Sequence, residues 1–532
     1  MRRILTMLPL VMCISIFAQK ISWGPTYKAE KRYNPYVHKA SDNGIFVASN
    51  FGNNILVEKY DAKSKKRLFS QIIDPPKEGR YKVNIGATRF FGGNFVILAD
   101  YYDSKSHKNH IFMFIINGKN GKISNRKVEV FTETVEKKKR KGRYKVYLSK
   151  DRSKLLVNFF AYHKKQGKYI DKHILYNEDM EEVFSHEEEI NKEESNDYLT
   201  FNYIIDNEGS IYFLASGKTL KVVSLDVNND YEKWEENLTI EGAAPASYSK
   251  GLKFTLDENG DLIIAGFFLK YKDLFKKNGK KRKTGYYALS GTCLFKIDHN
   301  TKEQVVSKVA NFEQKFLDKF KSKRDIKKEL DPSSSTFTFT NIHTKDDGGI
   351  ILVGEYYNYR ITYDRNGNIT SERWHYGDLG VVNLSPEGDI IWAQRVPKNQ
   401  QFHWATFLGI VYGPFIPRPL VGPNPSNYID YFSYSVSVSD KDVDIIFNDH
   451  KENVSVPASN DKARTSVLKK PNGAVATLYK LDINTGKRKK SSLNTSGVPV
   501  KPLKFYQEHD GEDIILLGQK KSRYRYGTLS IE

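Results

Sequence analysis

Twelve histidines, two cysteines and 63 acidic residues give this 532-residue chain ample material for catalysis, yet none falls in a spacing that builds a reaction centre locally. His107-Lys108-Asn109-His110 pairs two imidazoles without a third ligand, and no His-Glu-x-x-His run, Gly-x-Ser-x-Gly elbow, Walker loop or dinucleotide fingerprint occurs. The sequence therefore points to no catalytic residue, no cofactor and no metal. Carboxylates brought together by distant segments of the fold would escape such a search, because local spacing cannot reveal them.

The residues best suited to recognition lie in two interruptions of an otherwise regular pattern. In the first, Phe316 and Phe320 recur at helical spacing within 312–330, among Lys315, Lys319, Lys321 and Lys323, which predicts a basic amphipathic helix. In the second, around 399–428, Trp404, Phe407, Tyr412 and Phe415 stand among Pro414, Pro417, Pro419 and Pro423, which bar a membrane-spanning helix. These six aromatics are the candidate partner-binding residues. Further insertions are expected near 271–285 and 453–472.

What must position them is a repeated unit: a turn of Asp, Asn and Gly, then four or five apolar residues, then a small residue and often aromatics. Clear copies are Asp206-Asn207-Glu208-Gly209-Ser210-Ile211-Tyr212-Phe213-Leu214-Ala215 and Asp257-Glu258-Asn259-Gly260-Asp261-Leu262-Ile263-Ile264-Ala265. Others begin at Asp42 and Asp346, and degenerate copies begin at Gly92, Asp151, Asp440 and His509. Gly and Asn supply the positive φ of a hairpin turn, and the unbroken apolar run suits a strand covered on both faces.

Eight units recur about every 50 to 60 residues early in the chain and about 70 to 90 later, so the long intervals carry the insertions. The pattern resembles the broad class of β-propellers, which includes secreted bacterial members. It implies an all-β propeller of about eight four-stranded blades, with seven as the alternative, over 19–532. The last unit ends one strand short, and Ile21 to Tyr27 is the spare segment expected to complete it.

Met1 to Ala18 has the order of a secretory leader: Arg2 and Arg3, an apolar run from Ile4 to Phe17, then Ala18. Cleavage there leaves Cys293 as the single cysteine, so no disulfide can form within the chain, and leaves no transmembrane span. A formal charge of +21 suits anionic surfaces, and export argues against nucleic acid. The expectation is an exported, non-enzymatic binding or scaffold protein of the bacterial envelope. Its partners would be a protein or envelope component, with an anionic glycan or lipid as a further one; the alternative is a carbohydrate-active or other hydrolase acting in the channel.

Overall fold

A computed structural model describes residues 21–530, apart from 31–32, 52, 136, 139–140, 192–198, 217–218, 242, 245–250, 274–284, 322–331, 333–336, 406–429 and 461–464. Strands dominate it, and the single α-helix among the described residues is Gln314–Asp318. No helix of these residues is long and apolar enough to cross a membrane.

The strands form eight antiparallel sheets. Seven are consecutive in sequence, and we number them blades 1 to 7: 35–73, 84–134, 143–191, 199–237, 253–311, 337–405 and 434–492. Each hydrogen-bonds its first four strands in chain order from an innermost to an outermost edge. Blade 1 runs Pro35–Ser41, Gly44–Phe51, Asn54–Tyr60, Arg67–Ile73. The repeated turn is the first hairpin of each blade; Gly260, for example, donates its N–H to Asp257 O with φ +83°.

Blade 8 is composite. Ile514–Lys520 pairs with Arg523–Leu529, Tyr506 bridges Ile515 on the inner side, and Ile21–Trp23 pairs with Arg523–Leu529 on the outer side. The first described strand thus closes the last sheet, as the spare segment in the sequence requires. Glycine at 527 leaves room for it: a Cβ there would meet the Trp23 ring at 2.6 Å.

Alternation along the second strand of each blade explains why the apolar runs are unbroken. Phe46 and Ala48 of blade 1 pack against Phe90 and Phe95 of blade 2, while Ile45 and Val47 pack against Leu517 and Tyr526 of blade 8. The same division repeats between blades 2 and 3, 3 and 4, and onward to 7 and 8. Eight cores therefore join eight sheets into a closed ring. The protein is an eight-bladed β-propeller, and its innermost strands surround the central channel.

The aromatics that follow the buried strands serve this ring. Phe159, Phe267 and Phe268 are buried in cores between neighbouring blades. Cys293 is likewise buried, and burial pushes its thiol up to about 12, which makes it a small hydrophobe.

Candidate ligand site in the channel

The innermost strands of blades 1, 2 and 3 and the Tyr506 segment of blade 8 enclose a cavity of about 790 Å³. Among the described residues its polar wall consists of amides, hydroxyls, an imidazole and cations, with no carboxylate. The two guanidiniums in it differ in their compensation.

Arg152 sits in the first turn of blade 3, at the position that Gly260 and Gly348 occupy in blades 5 and 6. Its N–H donates to Ser149 O as theirs donate to Asp257 O and Lys345 O, and its φ is +63°. A non-glycine residue in this region costs about 1–2 kcal/mol, so the side chain must return something for the strain. From that turn it reaches across the channel, donating to His38 O of blade 1 and to Tyr506 Oη of blade 8 at 2.7 Å. Its Nε lies 3.1 Å from Glu508, which also holds Lys39 at 2.7 Å.

Arg89, on the innermost strand of blade 2, has no carboxylate partner among the described residues. Nη1 donates to Thr88 O at 2.8 Å and Nη2 to Val146 O of blade 3 at 2.8 Å, which fixes the guanidinium plane between two blades. Burial lowers its pKa and Arg152 adds to this, while Tyr147 opposes. A guanidinium nonetheless stays charged at neutral pH. Beside it the buried Tyr147 hydroxyl has no hydrogen-bond partner among the described residues. Burial, reinforced by Arg89 and then Arg152, takes the His38 imidazole down to about 3, so this ring is neutral at physiological pH.

Aromatic walls are held in place from behind. Tyr144 donates to Asp100 Oδ1 at 3.0 Å, and Lys141 pairs with the same carboxylate. Gly86 makes room for that ring, since a Cβ would lie 2.1 Å from it. At the rim Tyr36 is 47% exposed, and the buried Lys504 ammonium lies 3.1 Å from its ring centroid.

The channel end on the side of the first turns has the opposite character. A cavity of about 1200 Å³ there is lined by Glu258, Asp346, Asp347, Asp440, Asp510 and Glu512, with Lys150, His343 and Lys345 among them. Asp346 hydrogen-bonds Asp440, and repulsion from Asp440 and Glu258 raises its pKa. His343 Nδ1 lies 2.7 Å from Asp510.

No protein-family model and no curated protein matches the chain. Solved structures similar to it include the WD40 domain of SCAP from fission yeast, with 10% identity and a TM-score of 0.37, covering 95% of this chain and 94% of that one. The polysaccharide lyase Uly1 has 9% identity and a TM-score of 0.36, covering 97% and 98%. The Dos1 propeller has 9% identity and a TM-score of 0.31, covering 96% of each. At these scores the likenesses carry no argument about function, and the fold stands on the ring of eight sheets itself.

Of the six aromatics singled out by the sequence, the side chains of Phe316 and Phe320 are described. Phe316 and Phe320 are buried, at 6% and 7% exposure, in the core between blades 5 and 6, where Phe320 meets Phe337 edge-on at 5.2 Å. Their side chains offer no docking surface, because the apolar stripe folds onto the adjoining blades. The expected helix is seen over Gln314–Asp318, and 322–331 lies outside the described residues. Trp404 belongs to Gln400–Ala405, an extra strand on the long hairpin of blade 6, opposite Glu372; its side chain lies outside the description. Phe407, Tyr412 and Phe415 also lie outside the described residues.

Sequence reasoning missed Arg89, Arg152, His38 and Tyr147. One signal existed for Arg152: it interrupts the Asp-Asn-Gly turn in the poorest repeat, where a large charged residue replaces the expected glycine. Arg89 and Tyr147 carry no local signal, being single polar residues in short inner strands.

Proposed function

We propose that the chain is an exported, non-enzymatic binding protein of the bacterial cell envelope, and that its ligand enters the central channel. The observation that carries this reading is the cavity of about 790 Å³, whose polar side chains converge from four blades. The blade faces are occupied by inter-blade packing, whereas these groups face open space. Export rests on the leader-like order of residues 1 to 18, and the envelope assignment rests on export together with net positive charge.

Thr88→Trp, which fills the cavity from its wall, tests the site against deletion of 404–421. Retention of envelope glycans on the immobilised protein is expected to fall with Thr88→Trp and to survive the deletion. The opposite pattern would return the site to the insertion around 399–428.

A second reading, hydrolysis at the other mouth, is favoured by one observation: Asp346 hydrogen-bonds Asp440 beside Glu258, and its raised pKa suits a proton donor. These carboxyls are exposed, unlike the buried acid that general acid catalysis usually employs. Glycan cleavage abolished by Asp346→Asn would establish this reading over the first.

A further inference from the structure

Four features of the channel wall bear on what it would hold. First, the wall is cationic: Arg89 has no carboxylate partner among the described residues, Arg152 shares Glu508, at 3.1 Å, with Lys39 at 2.7 Å, and Lys145 also lines the cavity. Second, Arg89 is held before any ligand arrives, by carbonyls of two blades at 2.8 Å each. A planar guanidinium so fixed presents its remaining N–H groups in a fork that matches an oxyanion. Third, the adjacent Tyr147 hydroxyl is buried and has no partner among the described residues, and a buried polar group left unpaired is costly unless something completes it. Fourth, the surrounding polar groups, Asn34, Asn50, Tyr36 and Tyr506, are amides and phenols suited to hydroxyl groups and to stacking on a sugar ring.

We propose that the channel binds a sugar unit bearing a carboxylate or a sulfate ester, with the oxyanion on Arg89 and a neighbouring oxygen on Tyr147. The inference rests on the channel reading above. A neutral glycan would leave the Arg89 charge buried and unanswered, which disfavours it.

The test is calorimetric titration of the full exported chain with three probes: trigalacturonate, a singly sulfated galactotriose and unsubstituted galactotriose. Wild type is expected to bind at least one charged probe tenfold or more tightly than the neutral one, and the two charged arms distinguish carboxylate from sulfate ester. Arg89→Gln is expected to weaken the charged probe at least tenfold while leaving the melting temperature unchanged or higher, since it removes an uncompensated buried charge. Tyr147→Phe is expected to weaken it severalfold with the fold intact. Equal affinity for neutral and charged probes, or no loss on Arg89→Gln, would overturn the inference while leaving the channel reading standing. Charged-probe binding that survives Thr88→Trp undiminished would overturn both.

Discussion

Tyr33 Oη donates a 2.7 Å hydrogen bond to Glu58 Oε2 at the seam where blade 8 meets blade 1. The carboxylate is 1% exposed, and Tyr524 at 3.0 Å, Ser70 at 3.1 Å and Arg67 at 3.2 Å also point to it. Tyr60 and Tyr526 complete the cluster through Tyr524 and Tyr33, at 2.8 and 3.2 Å. Four tyrosines around one buried glutamate thus bond the two blades that the chain can join only by closing the ring. Glu58→Ala leaves four donors without their acceptor and is expected to destabilise the fold by about 3 kcal/mol in denaturant unfolding. Unaltered stability would show that the seam is held by apolar packing alone.

Removing residues 21–28 should have a related effect through a different force. Without Ile21–Trp23, the backbone of Gly527, Thr528 and Leu529 becomes a free sheet edge, and Leu529 loses its cover from Ile21. The truncated protein is expected to melt earlier and to associate as its concentration rises. A monomer with the wild-type melting temperature would contradict the closure.

Between blades 3 and 4, Asp171 is 1% exposed, and burial raises its carboxyl to about 6 despite hydrogen bonds from Asn158 at 2.6 Å and Tyr203 at 3.1 Å. A carboxyl whose folded pKa exceeds its unfolded value stabilises the fold while protonated. That contribution is complete below about pH 4 and is lost as pH rises through 6. Asp171→Asn is therefore expected to gain on wild type by roughly 1 kcal/mol more at pH 8 than at pH 5, measured by urea unfolding. A gain independent of pH would show that the carboxyl is already ionised at pH 5.

Arg152→Gly restores the glycine that other first turns carry and removes about 1 kcal/mol of backbone strain. It also deletes two hydrogen bonds and an ion pair that link blade 3 to blades 1 and 8, each contributing about 0.5–1.5 kcal/mol. The losses outweigh the relief, so the variant is expected to be less stable by about 1 kcal/mol. Chemical unfolding that shows equal or greater stability would mean the arginine bonds contribute little.

The ring was legible in the sequence because its determinants are local and repeated. A turn such as Asp257 to Asp261 followed by Leu262 to Ala265 specifies a hairpin and a strand covered on both faces, whatever the rest of the chain does. The spare strand at Ile21 could be inferred because the last unit was visibly incomplete. The site was not legible, for two reasons. Arg89, Tyr147 and His38 are about 50 to 110 residues apart in pairs and meet only because three successive blades pack side by side, so no spacing encodes them. Phe316 and Phe320 misdirected attention because an apolar stripe on an insertion looks the same whether it meets a partner or the adjoining blade.

The most direct test of the channel reading is a crystal structure of the full chain grown with the charged trisaccharide that binds it best. The account predicts the sugar between the inner strands of blades 1, 2 and 3, its oxyanion against the Arg89 guanidinium and within hydrogen-bonding distance of Tyr147 Oη. An oligosaccharide seated on the outer rim, or against Asp346 and Asp440 at the other mouth, with the Arg89 cavity holding only solvent, would contradict it.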